Sequence, residues 1–460
     1  MTTLLARTGR SEARASRLTD LILEPGDPDF DDLALPWNRA HRHSPAFVGV
    51  PISAADVVEL VRFARARDLS VGVQATGHGV TRPVTGGLLI LTHRLDSIQI
   101  DPDASVARLG AGVQWGPVLE AAQQHGLAPL LGSSPNVGAV GYTLGGGLGW
   151  LTRLHGLASD SVVSFEVVTV DGRLIRVSAE ENSELFWGLR GGGAGSLVVV
   201  TSMEIRLFGV TAVYGGNLLY PAEMAREVLA RWRDWVRTVP DELTSSVLVK
   251  KFPDLGHIPA PLRGRAFVMV RGCFAGDPES GSRLLAHWRS WRSPEIDDWK
   301  PMPFTEVATI ASDPVNPSAG RMSGGWLRQL SDRAIDVLVR RTLETEDSLL
   351  GSAEVRHIGG AVSSRDASSS AYGNRDSELI LTMGGSAPTP ETKAALLATL
   401  DSVLADLSDE RTGGVFLNFL DGENRRSQSA AGVSSAQRMM RLKAAFDPAN
   451  VMSHGLEFAS

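Results

Sequence analysis

His78 stands between Gly77 and Gly79, just after the β-rich run of residues 71–74, and no other side chain of this sequence has a setting so suited to covalent chemistry. A neutral imidazole is a competent nucleophile near neutral pH, and flanking glycines let backbone N–H groups come close to a diphosphate. Further on come Gly145-Gly146-Gly147-Leu148-Gly149 and Gly191-Gly192-Gly193. Any one of these clusters reads equally well as a tight turn. Together, in one half of the chain, they point to a backbone cradle for a phosphorylated cofactor with a nucleophilic side chain inside it. The Gly145–Gly149 cluster is not read as a dinucleotide fingerprint, because it follows no first strand and no acidic residue closes a βαβ unit behind it.

Composition bounds what such a cradle can serve. The 460 residues are 43% hydrophobic and 21% charged, enough to bury two cores of ordinary size. A net charge of -7 and the absence of a dense Lys/Arg run argue against nucleic acid and anionic membranes as partners. The first twenty residues carry Arg7, Arg10, Arg14 and Arg17 without an apolar stretch, and no segment approaches the roughly 20 apolar residues of a membrane span, so a cytoplasmic location is the default expectation. Cys273, the sole cysteine, excludes an intrachain disulfide and a cysteine metal cluster. His41, His43, His93, His125, His257 and His287 show no ligand spacing with a carboxylate, and Asp101-Pro102-Asp103 reads as a turn, so no metal is expected.

The elements that must position these residues follow from periodicity. Ser53 to Asp56 forms a capping box before a helix that ends near Asp68. Residues 71–74, 88–91 and 106–113 read as strands, 118–124 as a helix, and 164–177 as a hairpin turning at Asp171-Gly172. Beyond Phe208, helices predicted over 223–236 and from Thr389-Pro390 to Leu407 alternate with strands at 246–249, 267–270, 353–358, 379–383 and 415–419, and a last helix covers 436–445.

In this order the motifs resemble a family. Pro45-Ala46-Phe47-Val48, the Thr76-Gly77-His78 loop, the run from Val137 to Trp150, His155 to Asp160, Glu184 to Gly193 and Val199-Val200-Thr201 are similar to the vanillyl-alcohol-oxidase type flavin domain. Phe416-Leu417-Asn418-Phe419 and Phe446-Asp447-Pro448-Ala449-Asn450 resemble the tail of its berberine-bridge-enzyme-like branch. The resemblance implies an α+β chain. A two-part PCMH-type FAD-binding domain would be formed by residues 1–207, with its core at about 42–207, and by a returning segment 412–460. A substrate domain, 208–411, would roof the cofactor with an antiparallel sheet backed by helices.

It also implies FAD bonded through its 8α carbon to His78, with Gln74, Ala75, Thr76, Gly77, Gly79, Val137, Gly138, Gly141, Tyr142, Gly147, Val200, Asn418 and Asn450 around it. Many relatives add a second bond from a cysteine. Here Ser134 stands in that place, so a single link is expected. Phe416 and Phe419 occupy positions where relatives carry tyrosines that remove the substrate proton. The remaining acid-base candidates are Tyr372, Glu354 and His357. Strand alternation puts Glu354, Arg356 and Ile358 on one face and Val355 and His357 on the other. Glu354 reads either as a base raised by burial or as an ion-pair brace to Arg356, and His357 as a packed residue or a catalyst. Val249, Met269, Arg271 and Met383 are candidates for the pocket lining. The implied reaction is an oxidation of a small organic molecule with reduction of O2 to H2O2. Two alternatives stand beside it: an oxygenase or cyclase of bacterial polyketide-like metabolism, acting through a flavin-N5-oxide, and a silent flavin- or ligand-binding protein.

Overall fold

The computed structural model describes residues 18–256, 258–420, 430 and 432–458. His257 and the four N-terminal arginines named above lie outside them. Three sheets organise the chain. The first joins Phe47–Gly49, Leu88–Leu91 and Val71–Gln74 in parallel, with Ile22–Leu23 antiparallel at its edge. Its strands are largely apolar because helix Ala54–Ala66 covers one face and Phe30, Ala34 and Val84 cover the other. Ser53 starts that helix, accepting from the Asp56 amide, while the Asp56 carboxylate reaches the Ile52 amide at 3.2 Å. The second sheet is antiparallel, in the order Ile98–Asp101, Val106–Gly110, Val199–Arg206, Val162–Val168, Leu174–Ser178. Its last pair is the hairpin expected at Asp171-Gly172, and Gly172 turns with φ +79°.

The third sheet has eight strands, all antiparallel. Ile296–Asp297, Ala212–Pro221, Ala266–Phe274, Leu243–Lys251, Ser352–His357, Leu379–Ser386 and Gly320–Leu327 follow one another, and Lys300–Pro303 also pairs with Ala212–Pro221. Alternation gives it two faces. Val247, Val249, Val268, Val270, Val355, Leu381 and Met383 pack against helices Ala225–Trp235, Pro278–Arg289, Asp332–Val339 and Pro390–Asp406 through Trp232, Trp288, Leu338 and Leu400. Each such fully buried side chain contributes about 1.5–3 kcal/mol. Thr389 caps the last of these helices, with Pro390 at its first position. The opposite face carries Ser246, Arg271, Glu354, Arg356 and Ile358 and looks toward the glycine loops.

Two expectations are corrected. Val249 and Met383 do not line the pocket, because the pairing register turns them into the helix-backed core. Residues 415–419 form no strand: Leu417–Phe419 is a 3-10 turn, closed by Leu420 N–H to Leu417 C=O at 3.2 Å, and Asn418 is turned inward by its bonds to the glycine loop. The C-terminal helix Ala436–Phe446 returns to the first half, where Met439 and Leu442 join the core formed with Leu185 and Leu189.

Candidate flavin and substrate site

The His78 loop leaves Val71–Gln74 and is held at both ends by backbone. Trp37 N–H donates to Thr76 C=O and Asn38 N–H to Gly77 C=O, each at 3.0 Å. Gly77 has φ +76°, and a Cβ there would fall 2.7 Å from Gln74 Oε1, so only glycine fits. Gln74 is committed to bracing: its Oε1 accepts from His43 Nε2 at 3.0 Å, and His43 Nδ1 accepts from the Val84 amide at 2.8 Å. Ala75 and Thr76 back onto Gly138, where a Cβ would meet them at 3.2 and 3.6 Å. Gly79 is exposed and borders open space.

Within this loop the His78 ring stacks on Trp37, centroids 4.2 Å apart, and Nδ1 pairs with Thr76 Oγ1 at 2.8 Å. Nε2 is buried and has no hydrogen-bond partner. Burial lowers the imidazole to about 4, partly offset by Asn136 and the Asp313 carboxylate, so the ring is neutral at neutral pH. With Nδ1–H donated to Thr76, Nε2 carries the free lone pair.

The second loop approaches this one from below. Val137 C=O accepts from Trp115 N–H at 3.1 Å, and Gly138 starts a short helix, Ala139–Leu144, that the sequence reading did not foresee. The exposed Gly141 lies on its outer side. The helix ends in Gly146 and Gly147, with φ +112° and +77°. A Cβ on Gly147 would lie 2.5 Å from the Tyr142 ring. Asn418 locks this turn, accepting from Gly147 N–H at 3.0 Å and donating to Tyr142 C=O at 2.9 Å. Its amide is thereby spent on the loop. Val200 is buried in the apolar core and pairs with Val167 in the second sheet. Asn450 is exposed with φ +52°, at the turn after which Val451 C=O accepts from Val71 N–H at 2.8 Å; it therefore supports the strand that leads to His78.

Opposite the loops, Arg271 and Arg356 grip Glu354. Arg271 Nε and Nη2 donate to Oε1 at 3.1 and 2.7 Å, and Arg356 Nη2 donates to Oε2 at 2.9 Å. Both carboxylate oxygens are therefore occupied. Although burial alone would raise Glu354, the two guanidiniums hold it far below the usual carboxylate range. Its role is the ion-pair brace, and the general-base reading is withdrawn. His357 faces the other way, with Nε2 3.0 Å from Arg153 Nη1, and burial together with that guanidinium lowers it to about 3. It is a packed neutral imidazole, not a catalyst at this face. Tyr372 lies against Gly146 and Gly191, 6.0 Å from the Phe416 ring, with its hydroxyl buried and unpartnered. Burial pushes its phenol far up, as it does that of Tyr142, so both stay protonated; they can donate a hydrogen bond but are not bases near neutrality.

Between the walls lies a small cavity of about 20 Å³, lined by Ser133, Gly149, Trp150, Thr244, Ser246 and Arg356 among others. Apolar Leu148, Trp326, Ile358, Ile380 and Phe416 cluster beside it. Trp37, Thr244 and Asp313 had no local sequence signal. They reach the site through contacts between distant segments, such as Ser133 Oγ to Asp313 at 2.6 Å and Asn136 Nδ2 to Val315 C=O at 2.8 Å.

Comparison with known proteins fits this geometry. The family described as "FAD binding domain" matches residues 45–178, which include both loops. An FAD-linked oxidoreductase of Bacillus subtilis, YgaK, is 27% identical over 446 residues, 95% of this chain and 96% of its own. The (R)-6-hydroxynicotine oxidase of Paenarthrobacter nicotinovorans is 27% identical over 94% and 95% of the two chains. The crystal structure of 6-hydroxy-D-nicotine oxidase from Arthrobacter nicotinovorans superposes with a TM-score of 0.80 over 95% of this chain and 97% of the other, at 23% identity. This chain is an FAD-linked oxidoreductase, and its relatives and structural neighbours are of the vanillyl-alcohol-oxidase and berberine-bridge-like family. The oxidoreductase has the α+β fold of that family, and its residues fit the cofactor. His78 Nε2 and the Tyr142 and Tyr372 hydroxyls are buried without partners, and a Cβ on Gly77, Gly138 or Gly147 would press into the loops. Among the described residues no helix is long and apolar enough to cross a membrane.

Proposed function

We propose that the oxidoreductase is an oxidase carrying FAD on a single covalent bond to His78, with residues 1–207 and 412–460 holding the cofactor and 208–411 closing over the substrate. The observation that supports this reading is the His78 ring: neutral, stacked on Trp37, and left with one buried nitrogen unpaired. When bound, FAD supplies a two-electron hydride acceptor that O2 can regenerate, so that overall a reduced substrate and O2 give the oxidised product and H2O2. The protein's share is placement. Thr76 and Trp37 fix the imidazole; Asn418 fixes the glycine turn; the apolar cluster of Leu148, Ile358 and Phe416 would exclude water beside a bound cofactor.

Ser134 Oγ donates to Asn136 Oδ1 at 2.6 Å, and Cys273 is buried in the sheet with its thiol pushed up, which supports one link and not two. The test is denaturing electrophoresis with flavin fluorescence read at acid pH. The band is expected to fluoresce and the His78→Ala band to be dark; a dark wild-type band sinks the proposal. The oxygenase reading draws on one specific observation, that Phe416 and Phe419 supply no base and Glu354 is ion-paired. Peroxide released in a one-to-one ratio with product oxidation supports the oxidase, whereas oxygen atoms from labelled O2 found in the product support the oxygenase.

A further inference from the structure

We infer that the sheet wall of the cavity binds substrate through an anionic oxygen, with Arg356 as the residue that receives it and Lys250 and Arg271 reinforcing its field. This rests on the flavoenzyme reading above and gives that site its substrate class.

The charge balance on this face is uneven. Lys250, Arg271 and Arg356 all stand on the same side of the sheet, in register positions that alternate with the apolar core residues. Glu354 is the one carboxylate among them. Each of its oxygens already accepts from an arginine, and Arg271 also donates to Ser246 Oγ at 3.2 Å. The other nearby acid, Asp313, accepts from Ser133 at the rim. Lys250 has no carboxylate within ion-pair distance among the described residues; its ammonium rests 4.9 Å from the centroid of the Phe252 ring. Burial and the neighbouring Arg271 lower it, and the Asp313 and Glu354 carboxylates only partly offset them.

The hydrogen-bonding inventory has the same bias. Three groups on residues lining the cavity are buried and unpartnered: Arg356 Nε, Trp150 Nε1 and Thr244 Oγ1. All three can donate, and the carboxylates that could accept are committed. A buried donor left unpaired costs about 1–3 kcal/mol, so a ligand gains by bringing acceptors. A polyol, which needs acceptors for its own hydroxyl protons, would find few here. A carboxylate, or the ionised hydroxyl of a phenol or enol, satisfies the wall. Such a substrate also makes sense of Phe416 and Phe419: a hydroxyl that arrives ionised needs no protein base.

The test uses the purified holoenzyme and two matched probe pairs, benzoate against benzamide and 4-cyanophenolate against benzonitrile, with binding read by calorimetry and by perturbation of the flavin absorbance. The anion of at least one pair is expected to bind about tenfold or more tightly than its neutral partner, a preference that weakens with added salt. Preference for benzoate alone assigns a carboxylate, and for cyanophenolate alone an ionised phenol or enol. Arg356→Gln should erase the preference while flavin content stays at the wild-type level. Arg356→Lys should keep part of it, and Lys250→Met should reduce it by a smaller factor. Neutral probes binding as tightly as anions, or a preference that survives Arg356→Gln and Lys250→Met, overturns the inference. Protein isolated without any flavin would fail the flavoenzyme reading instead, while flavin-loaded protein indifferent to charge fails this one.

Discussion

The loop wall around His78 and the sheet wall around Arg356 keep their polar groups in place by opposite means. Around His78 the ring's hydrogen-bond partner is near in sequence, Thr76 on Nδ1, and the loops close through backbone, since Gly77, Gly138 and Gly147 let main chains close in where a Cβ would collide. On the sheet the partners are distant: Arg271 and Glu354 lie 83 residues apart and meet only because two strand pairings bring them to one face. The loop wall is a shape made by omitting side chains, and the sheet wall is a charge pattern made by matching them. Damage to the first should be read in cofactor content, and damage to the second in stability and ligand charge.

The largest break is expected on the sheet. Glu354→Gln leaves two buried guanidiniums without their counter-charge, and urea unfolding should show a loss of about 3–5 kcal/mol, while the protein that folds still carries flavin. Next comes acid. His357 is lowered from 6.5 to about 3, so its neutral form is favoured by the fold; the stability tied to it is complete above pH 6.5 and is lost as pH falls toward 3. Between pH 7 and pH 4 this amounts to about 2–3 kcal/mol, and His357→Gln should flatten the curve of stability against pH in that window.

The loop wall gives smaller energies but a clearer functional readout. Gly147→Ala must adopt φ +77° and push on the Tyr142 ring, costing about 2 kcal/mol, and the ratio of flavin to protein absorbance should fall. Asn418→Ala removes two hydrogen bonds from the turn and should cost about 1–2 kcal/mol, with a smaller fall in flavin content. Sheet substitutions that emptied the protein of flavin, or loop substitutions that left it fully loaded, would break the division between the two walls.

Part of this was legible in the residues. The His78 loop, the glycine turn at Gly145–Gly149, the caps at Ser53 and Thr389, and the opposition of Glu354 and His357 across one strand are each set by a few consecutive residues. Sterics, capping and two-residue alternation act locally, so they can be read locally. The misreadings have a common origin. Residues 415–419 alternate like a strand, but Asn418 is drawn into the glycine turn more than two hundred residues away, and the backbone turns with it. Val249 and Met383 had no facing until a register was chosen, and pairing placed them behind the sheet.

The sequence by itself determined the glycine loops and the order of helices and strands, because glycine conformation and apolar periodicity belong to neighbouring residues. Only the tertiary structure decided what Glu354 does. A carboxylate's charge state depends on which cations share its burial, and Arg271 and Arg356 come to it from a strand elsewhere and from its own, through a register that no local pattern specifies.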